Sequence, residues 1–412
     1  MLRADVAVVG GGPAGAAAAI TLARAGREVV LFDKARFPRD KCCGDGLTTA
    51  ALRRYERLGL RPDAIASWEV VTDTWLRSPS GRVVRLPMPD TGGIFAAVAR
   101  RYDLDAAFLD VARAAGVKVY DGHAVHDVAE RYDLVCLEVD GVGPVVSRYA
   151  VAADGMWSPV RKKLGLAEEP GYLGDWHALR QYFTGVGEAA ANGLWVWFDA
   201  DLLPGYAWSF PLPGGAANVG FGIQRMAGKP THEMKGQWAD LLTRPHIRDV
   251  LGAGARAEAP PKAWPIPTRL TSTQLAAGRV LFVGDAARAT DSMTGEGIGQ
   301  ALETGELAAH AVIAGGPHRP AAVAAQYRRQ VAAGMGMDDR LATRLSHLLR
   351  HRKGARGAIR IANSSNWTRS NFARWMWEDY PRAMLATPHR WHRGMLHGPG
   401  AFRDTPSPTA GP

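Results

Sequence analysis

Residues 10–15 read Gly10-Gly11-Gly12-Pro13-Ala14-Gly15, and the flanks of this run leave few folds open. Residues 4–9 (Ala-Asp-Val-Ala-Val-Val) have the apolar, β-branched character of a short buried strand. Residues 13–25 are Ala-rich with Ile20 and Leu22, predicting a helix that Gly26 stops. Residues 28–33 (Glu-Val-Val-Leu-Phe-Asp) predict a second strand ending on Asp33. Strand, glycine turn, helix and strand make a βαβ unit. Gly10 permits the tight turn, Gly12 lets backbone approach a pyrophosphate, and Gly15 lets helix and strand pack closely. Pro13 and Ala14 open the helix, whose free N–H groups and dipole favour bound phosphate. Asp33 is placed to accept hydrogen bonds from ribose hydroxyls. This motif alone does not separate FAD from NAD.

Two later motifs do. Asp154-Gly155 ends a strand predicted at 149–153 and is followed by Ser158 and Arg161. Gly284-Asp285-Ala286-Ala287 follows a strand predicted at 279–283, and Gly295-Glu296-Gly297 then leads into a helix over about 296–313. An acid at the end of a late strand suits a polyhydroxylated ribityl chain. A helix N-terminus near Gly297 suits the electron-rich edge of an isoalloxazine. Taken in this order, the three motifs predict FAD.

A chain of 412 residues exceeds what one core usually serves, so more than one domain is expected. Segments 68–98 and 175–268 are rich in Val, Trp, Phe, Thr and turn residues, with alternation such as Trp195-Val196-Trp197-Phe198. They read as two parts of an inserted, antiparallel-sheet substrate domain. The α/β Rossmann-type FAD domain then comprises 1–67, 99–174 and 269–334, with a helix near 104–115 leading to a strand at 117–120. A helical C-terminal region is expected over 335–402, and a disordered, proline-bearing tail over 403–412.

Composition narrows the remaining classes. Apolar residues at 47% and charged residues at 22% exclude wholesale disorder. Three sparse cysteines, Cys42, Cys43 and Cys136, give no disulfide framework and no metal-ligand spacing, which fits a reducing cytoplasm. The N-terminal apolar stretch is broken by its glycines and Pro13, so it does not read as a signal peptide. No apolar run of about 18 residues predicts a membrane span. Net charge is +10, yet no aromatic–basic RNA motif appears, so nucleic acid is not expected as a partner.

The order GxGxxG…acid, DGxxSxxR, GDAA…GEG resembles the flavoprotein superfamily of aromatic hydroxylases, flavin halogenases and geranylgeranyl reductases. Pro38-Arg39-Asp40-Lys41-Cys42-Cys43-Gly44-Asp45-Gly46 is similar to the PxxKxCGDG signature of the geranylgeranyl reductase family. Tyr206-Ala207-Trp208-Ser209-Phe210-Pro211 matches that family's YxWxFP motif, and Asn218-Val219-Gly220-Phe221-Gly222 and Asp291 to Gly297 continue the match. The resemblance covers residue 4 to about 315. It implies FAD contacts from Lys34, Cys43, Gly44, Asp45, Gly46, Arg101 and Ile298. It also implies reduction of isolated double bonds in a polyprenyl chain, with a menaquinone side chain favoured. The chain departs from the family in having Asp291-Ser292 where Asn-Pro is common before Leu-Thr-Gly-Glu-Gly. It also has Cys42 where proline is common, so a vicinal cysteine pair stands there.

An unactivated alkene accepts a hydride only if a proton reaches its other carbon and the developing cation is shielded. Tyr206, Trp208 and Phe210 alternate along a strand, so they share one face that can line such a site. With Cys43 they are the catalytic candidates. Tyr206, Cys43, Asp291 and bound water stand as alternative proton donors. Two competing classes share the FAD domain: a monooxygenase of an aromatic or polyketide-type substrate, and a halogenase, whose WxWxIP motif and lysine are not matched. The electron donor reads as NADPH or a ferredoxin-like protein, since no second intact GxGxxG occurs. The Arg- and Trp-rich tail (Arg350, Arg352, Arg356, Arg360, Trp367, Trp375, Trp377, Trp391) has two readings: a peripheral contact with the inner face of the cell membrane, or a cap over the active site. Oligomeric state is not legible.

Overall fold

The computed structural model of the chain describes residues 1–166, 172–225 and 233–403. Of the tail read as disordered, only Arg403 falls inside this range; residues 404–412 lie outside the described residues.

The βαβ unit forms as its sequence dictates. Strand Leu2–Val9 pairs in parallel with Val29–Asp33 on one side and with Gly143–Ala152 on the other. The sheet runs Ala276–Ala277, Val280–Phe282, Gly143–Ala152, Leu2–Val9, Val29–Asp33, Lys118–Asp121. The chain steps outward from Leu2–Val9 through Val29–Asp33 to Lys118–Asp121, then returns on the far side. That reversal opens a crevice at the carboxyl end of Leu2–Val9, where Gly10 begins the glycine run. Helix Pro13–Arg24 buries Ala16, Ala17, Ala18, Ala19, Ile20 and Leu22. These small side chains let it lie close to the sheet and to the long helix Ile298–Gly315.

The second sheet runs Arg256–Ala257, Trp176–Thr184, Ala216–Gln224, Tyr206–Leu212, Leu194–Trp197, Asp73–Arg77, Val83–Pro87, with Lys262–Ile266 also on Trp176–Thr184. Its pairings are antiparallel except one: Leu194–Trp197 runs parallel to Asp73–Arg77. That seam joins the two sequence segments read as the inserted sheet. No hairpin ties those strands, and the chain between them is long enough for either direction. One face packs Trp197, Phe221 and Leu179 against Trp238 of helix Met234–Thr243. The other face looks toward the crevice.

Helices Pro320–Gly334, Gly336–Leu349, Arg352–Ala362 and Asn366–Met376 follow. The last opens on a reciprocal Ser365–Thr368 capping box. The chain then crosses back over the crevice. The Trp377 indole N–H donates to Thr74 Oγ1 at 3.0 Å, and the Trp377 carbonyl accepts from the Thr49 N–H at 2.8 Å. The C-terminal arm thereby ties the inserted sheet to the FAD-side domain.

Candidate active site

A cavity of about 870 Å³ runs from the glycine loop to the strand Tyr206–Leu212. The FAD-contact and aromatic candidates named above line it, except Gly15, which lies behind the wall; Asp291, named as an alternative proton donor, does not line it.

At the glycine-loop end the wall is backbone. Gly10 has φ +108°, and a Cβ there would lie 2.2 Å from the Ala153 carbonyl oxygen. A Cβ on Gly15 would lie 1.9 Å from the Gly10 carbonyl oxygen. Helix Pro13–Arg24 has neither a capping side chain nor an acid in its first turn, so its positive end is left for a ligand. Asp33 first holds the loop: its two oxygens accept from the Gly11 N–H at 2.7 Å and the Ala35 N–H at 2.8 Å. Arg101 is buried and donates two 2.7 Å hydrogen bonds to Asp105, and Arg39 pairs with the same carboxylate at 2.9 Å. Burial opposes the charge on Asp105, but Arg101 and Arg39 hold its carboxyl below the usual range. Two guanidiniums on one carboxylate leave a net positive charge at the cavity wall. A side-chain-free cradle, an uncapped helix and this charge fit the pyrophosphate of FAD.

In the middle, Asp154 accepts from the Ser158 hydroxyl at 2.7 Å and the Val160 N–H at 2.8 Å. Arg161 reaches across to the carbonyls of Ala286, at 3.0 Å, and Gln274, at 2.7 Å. The DGxxSxxR run is thus a clamp onto the Gly284–Ala287 turn. Asp285 faces the cavity with Lys41 Nζ at 3.7 Å, beside Gly284. The Asp291-Ser292 departure also finds its reason. Asp291 Oδ1 accepts from the N–H groups of Met293 and Thr294 and from the Thr294 hydroxyl, at 3.0, 2.7 and 2.8 Å, building the turn without proline. The turn delivers Gly295, Glu296 and Gly297 to the start of helix Ile298–Gly315, where the Glu296 carboxyl accepts the Gly299 N–H at 2.9 Å.

The far end is a chamber of side chains. Tyr206, Trp208 and Phe210 share one face, with successive ring centroids 6.0 Å apart. Ala207 joins the core on the opposite face. The Tyr206 hydroxyl donates to the Thr294 carbonyl, so the aromatic strand is pinned to the helix-entry turn. Gly44 and Gly46 pack against Phe210, bringing the two family signatures into contact. Cys43 accepts the Asp45 N–H at 3.3 Å, and Cys42 lies at 3.3 Å from the Lys262 carbonyl. Burial pushes the Cys43 thiol up to about 11 and Cys42 up to about 12, so both stay protonated near neutral pH.

Tyr182, Glu378 and Arg382 escaped sequence reading, and Asp45 and Glu296, read as motif residues, meet partners that were not foreseen. Asp45 is fully buried against Tyr182 and Asn218. From the C-terminal arm, Arg382 pairs with Asp291 at 3.0 Å and Glu378 at 2.9 Å. Glu296 lines the cavity close by. Burial first, and Glu378 second, lift its carboxyl to about 8. The i,i+4 spacing of Glu378 and Arg382 is the one sequence signal that could have flagged this cluster. Tyr182 carries none.

Known proteins agree with this architecture. The sequence model of the FAD binding domain family matches residues 3–311. A menaquinone reductase of Mycolicibacterium smegmatis is 36% identical over 76% of this chain and 77% of its own. A digeranylgeranylglycerophospholipid reductase of Methanopyrus kandleri is 31% identical over 75% and 80%. The solved structure of a geranylgeranyl bacteriochlorophyll reductase-like protein from Thermoplasma acidophilum superposes with a TM-score of 0.77 at 21% identity, covering 94% of this chain and 99% of that one. A flavin-dependent brominase superposes at 0.71 and 19% identity over 94% and 100%, a likeness of fold alone. The glycine cradle, the late-strand turn and the aromatic strand therefore belong to one scaffold, and the chain is a member of the FAD-binding geranylgeranyl reductase family.

Proposed function

We propose that the protein is an FAD-dependent reductase that saturates isolated C=C bonds of a polyprenyl chain, with a menaquinone side chain as the favoured substrate. The observation that carries this reading is the continuity of the FAD cradle with an aromatic-walled, largely apolar chamber closed by the C-terminal arm. Reduced FAD, when bound, supplies a hydride. The chain's own residues have three further tasks. Gly10, Gly12, the start of helix Pro13–Arg24 and Arg101 would hold the pyrophosphate, with Asp33 and Asp285 toward the two sugar-like portions. Tyr206, Trp208 and Phe210 would orient the prenyl chain and stabilise cationic charge on the alkene through their ring faces. Trp377 and Arg382, reaching over from the arm, would exclude water.

The finer points extend the proposal. Among the described residues no helix is long and apolar enough to cross a membrane. We propose instead a peripheral contact on the cytoplasmic face. Ile361 and Trp367 are 70% and 66% exposed, and helix Arg352–Ala362 carries exposed Arg352, Lys353, Arg356 and Arg360 beside Ile361 in sequence. This mixture suits an anionic lipid surface. The electron donor is proposed to be NADPH docking transiently, or a ferredoxin-like protein.

The decisive experiment is anaerobic. The purified yellow protein is reduced with dithionite and mixed with a panel of menaquinones and geranylgeranyl lipids, and products are read by mass. A gain of two hydrogens per event with reoxidation of the flavin is expected. A product one oxygen heavier, formed from an aromatic panel only after air and NADPH are admitted, would overturn the reading in favour of a monooxygenase.

A further inference from the structure

Reduction of an isolated alkene needs a proton at the carbon that the hydride does not reach. One buried carboxyl is built for that task. Asp45 has φ +66° and no exposed surface. Its Oδ2 accepts from the Tyr182 hydroxyl at 2.6 Å and from the Asn218 amide at 2.8 Å. Its Oδ1 is buried and has no hydrogen-bond partner. Asn218 is itself fixed, donating to the Cys43 carbonyl at 2.8 Å and accepting from the Trp208 indole at 3.1 Å. One member of the aromatic wall therefore sets the position of the acid.

Tyr182 looks the other way. Its ring lies between the Arg100 and Arg180 guanidiniums, at 4.3 and 4.0 Å. It lines a second, open cleft of about 520 Å³ with Asp40, Ser67, Arg100 and Leu212. Asp45 lines the main cavity and does not line the cleft; Tyr182 lines the cleft and does not line the main cavity. The Asp45–Tyr182 hydrogen bond thus links a residue of one space to a residue of the other, and Asp40 lines both.

We infer that Asp45 is the catalytic acid that protonates the alkene, and that Tyr182 is the positioning residue through which it is reloaded from the cleft. The inference rests on the prenyl-reductase reading above. Oδ2 already takes two donors, so the acidic proton sits on Oδ1, the oxygen free to donate. The alkene's π pair takes that proton to form one C–H bond, and the other carbon receives the hydride that reduced FAD supplies. Asp45, now a carboxylate, takes the Tyr182 hydroxyl proton on Oδ2 as the phenol takes one from water in the cleft, and a half-turn of the carboxyl group brings the protonated oxygen to the donating position. Burial and the Asp45 carboxylate hold the Tyr182 phenol well above its usual range, with Arg180 offsetting only part, so the two transfers are concerted and no tyrosinate forms. The sum is one alkene, one hydride and one water-derived proton giving a saturated bond.

Titration supports the geometry. Burial lifts the Asp45 carboxyl to about 6, against hydrogen bonds from Tyr182 and Asn218 and the charges of Arg180 and Arg101. Arg100, Cys42 and Cys43 are the other titratable groups that act on it. A prenyl chain filling the cavity removes more water and raises it further.

The test uses Asp45→Asn and Tyr182→Phe in the full-length protein. Infrared difference spectra of the FAD-free protein, taken across pH, read carboxyl protonation directly. The wild type shows a carboxyl titrating near 6 in addition to the Glu296 carboxyl lifted to about 8; Asp45→Asn lacks the first and keeps the second, and Tyr182→Phe shifts the first upward, because a hydrogen bond to the charged form is gone. In anaerobic single turnovers with menaquinone in detergent micelles at saturating FAD, Asp45→Asn loses about 100-fold or more in rate. Tyr182→Phe moves the alkaline limb of the pH–rate profile upward, which a merely structural loss would not do. An FAD-loaded Asp45→Asn protein that reduces the prenyl chain at the wild-type rate, or a wild type without the lower of the two elevated carboxyls, overturns the inference alone. A wild-type enzyme that adds no hydrogen to any lipid of the panel overturns the parent reading and this one with it.

Discussion

The cavity's two ends are made of different material. At the glycine-loop end the wall is main chain and short side chains from nearly contiguous sequence, and its tolerances are steric: 1.9 Å behind Gly15, 2.2 Å behind Gly10. At the chamber end the wall is side chains from remote segments, and its tolerances are electrostatic. Asp45 meets Tyr182 and Asn218, and Asp291 meets Arg382. The first end binds a ligand of fixed chemistry and the second adapts to a substrate. Substitutions should therefore fail in different ways at the two ends.

The largest effect belongs to the steric end. Gly10→Ala forces a side chain into a left-handed conformation and against a backbone carbonyl, at a cost above about 4 kcal/mol. The expected protein is colourless and melts far below the wild type. A yellow protein with unchanged melting would show that this end is as adaptable as the other. Next comes Arg382→Met. It strips the countercharge from buried Asp291 and from half-buried Glu378, and should cost about 3–5 kcal/mol at neutral pH. Limited proteolysis should cut the arm after residue 376 while flavin absorbance survives. Loss of flavin with no gain in cleavage would mean that the arm does not respond separately from the FAD side.

A paired comparison is finer. Asp285→Ala should weaken FAD binding by about 10- to 100-fold, the loss of a charge-assisted hydrogen bond, with turnover restored at saturating FAD. Trp208→Ala should leave FAD affinity unchanged and cut turnover by at least about 10-fold, because the aromatic face and the anchor of Asn218 both go. Measured together by flavin fluorescence and single-turnover kinetics, these variants should separate. Equal loss of FAD in both would merge the two ends into one site.

This contrast also explains what the sequence could tell. The parallel sheet, the glycine turn and the late-strand turn follow from local rules: β-branched runs, alanines at helical spacing, a glycine where no Cβ fits. The alternation of Tyr206, Trp208 and Phe210 announced a shared face. The parallel seam between Leu194–Trp197 and Asp73–Arg77 was not legible, because no local rule fixes the direction of strands from separate insertions. Asp45 was legible as part of a motif but not as a buried acid, since its burial comes from Tyr182 and Asn218, residues 137 and 173 positions away. Arg161 read as a motif residue, yet its clamp onto Ala286 needed the fold. The tail's two readings diverge by segment: Trp377 is buried in the arm, whereas Trp367 and Trp391 are exposed.

The smallest expected effect sharpens the comparison most, because the two ends carry acids shifted in opposite directions. Asp105 at the glycine-loop end is held below its ordinary value by Arg101 and Arg39, against burial. Its stabilising contribution is present above the unfolded value near 3.8 and is lost as pH falls through the lower folded one. Glu296 at the chamber end is lifted by burial and by Glu378 to about 8, from 4.5. Its neutral form is the one that fits, so its contribution is whole below 4.5 and is lost as pH rises through about 8. Acid should loosen the glycine-loop end first, and base the chamber end. Glu296→Gln keeps an oxygen for the Gly299 N–H, which the native side chain accepts at 2.9 Å, but cannot ionise. Its stability should therefore decline less than that of the wild type between about pH 6 and 8.5, by about 1 kcal/mol or more. Hydrogen exchange should assign the difference to residues 291–299 and 376–384 and leave 101–108 unmoved. Parallel stability curves for the two proteins would mean that Glu296 already ionises against its neighbours, and that the electrostatic character given to the chamber end rests on Asp45 alone.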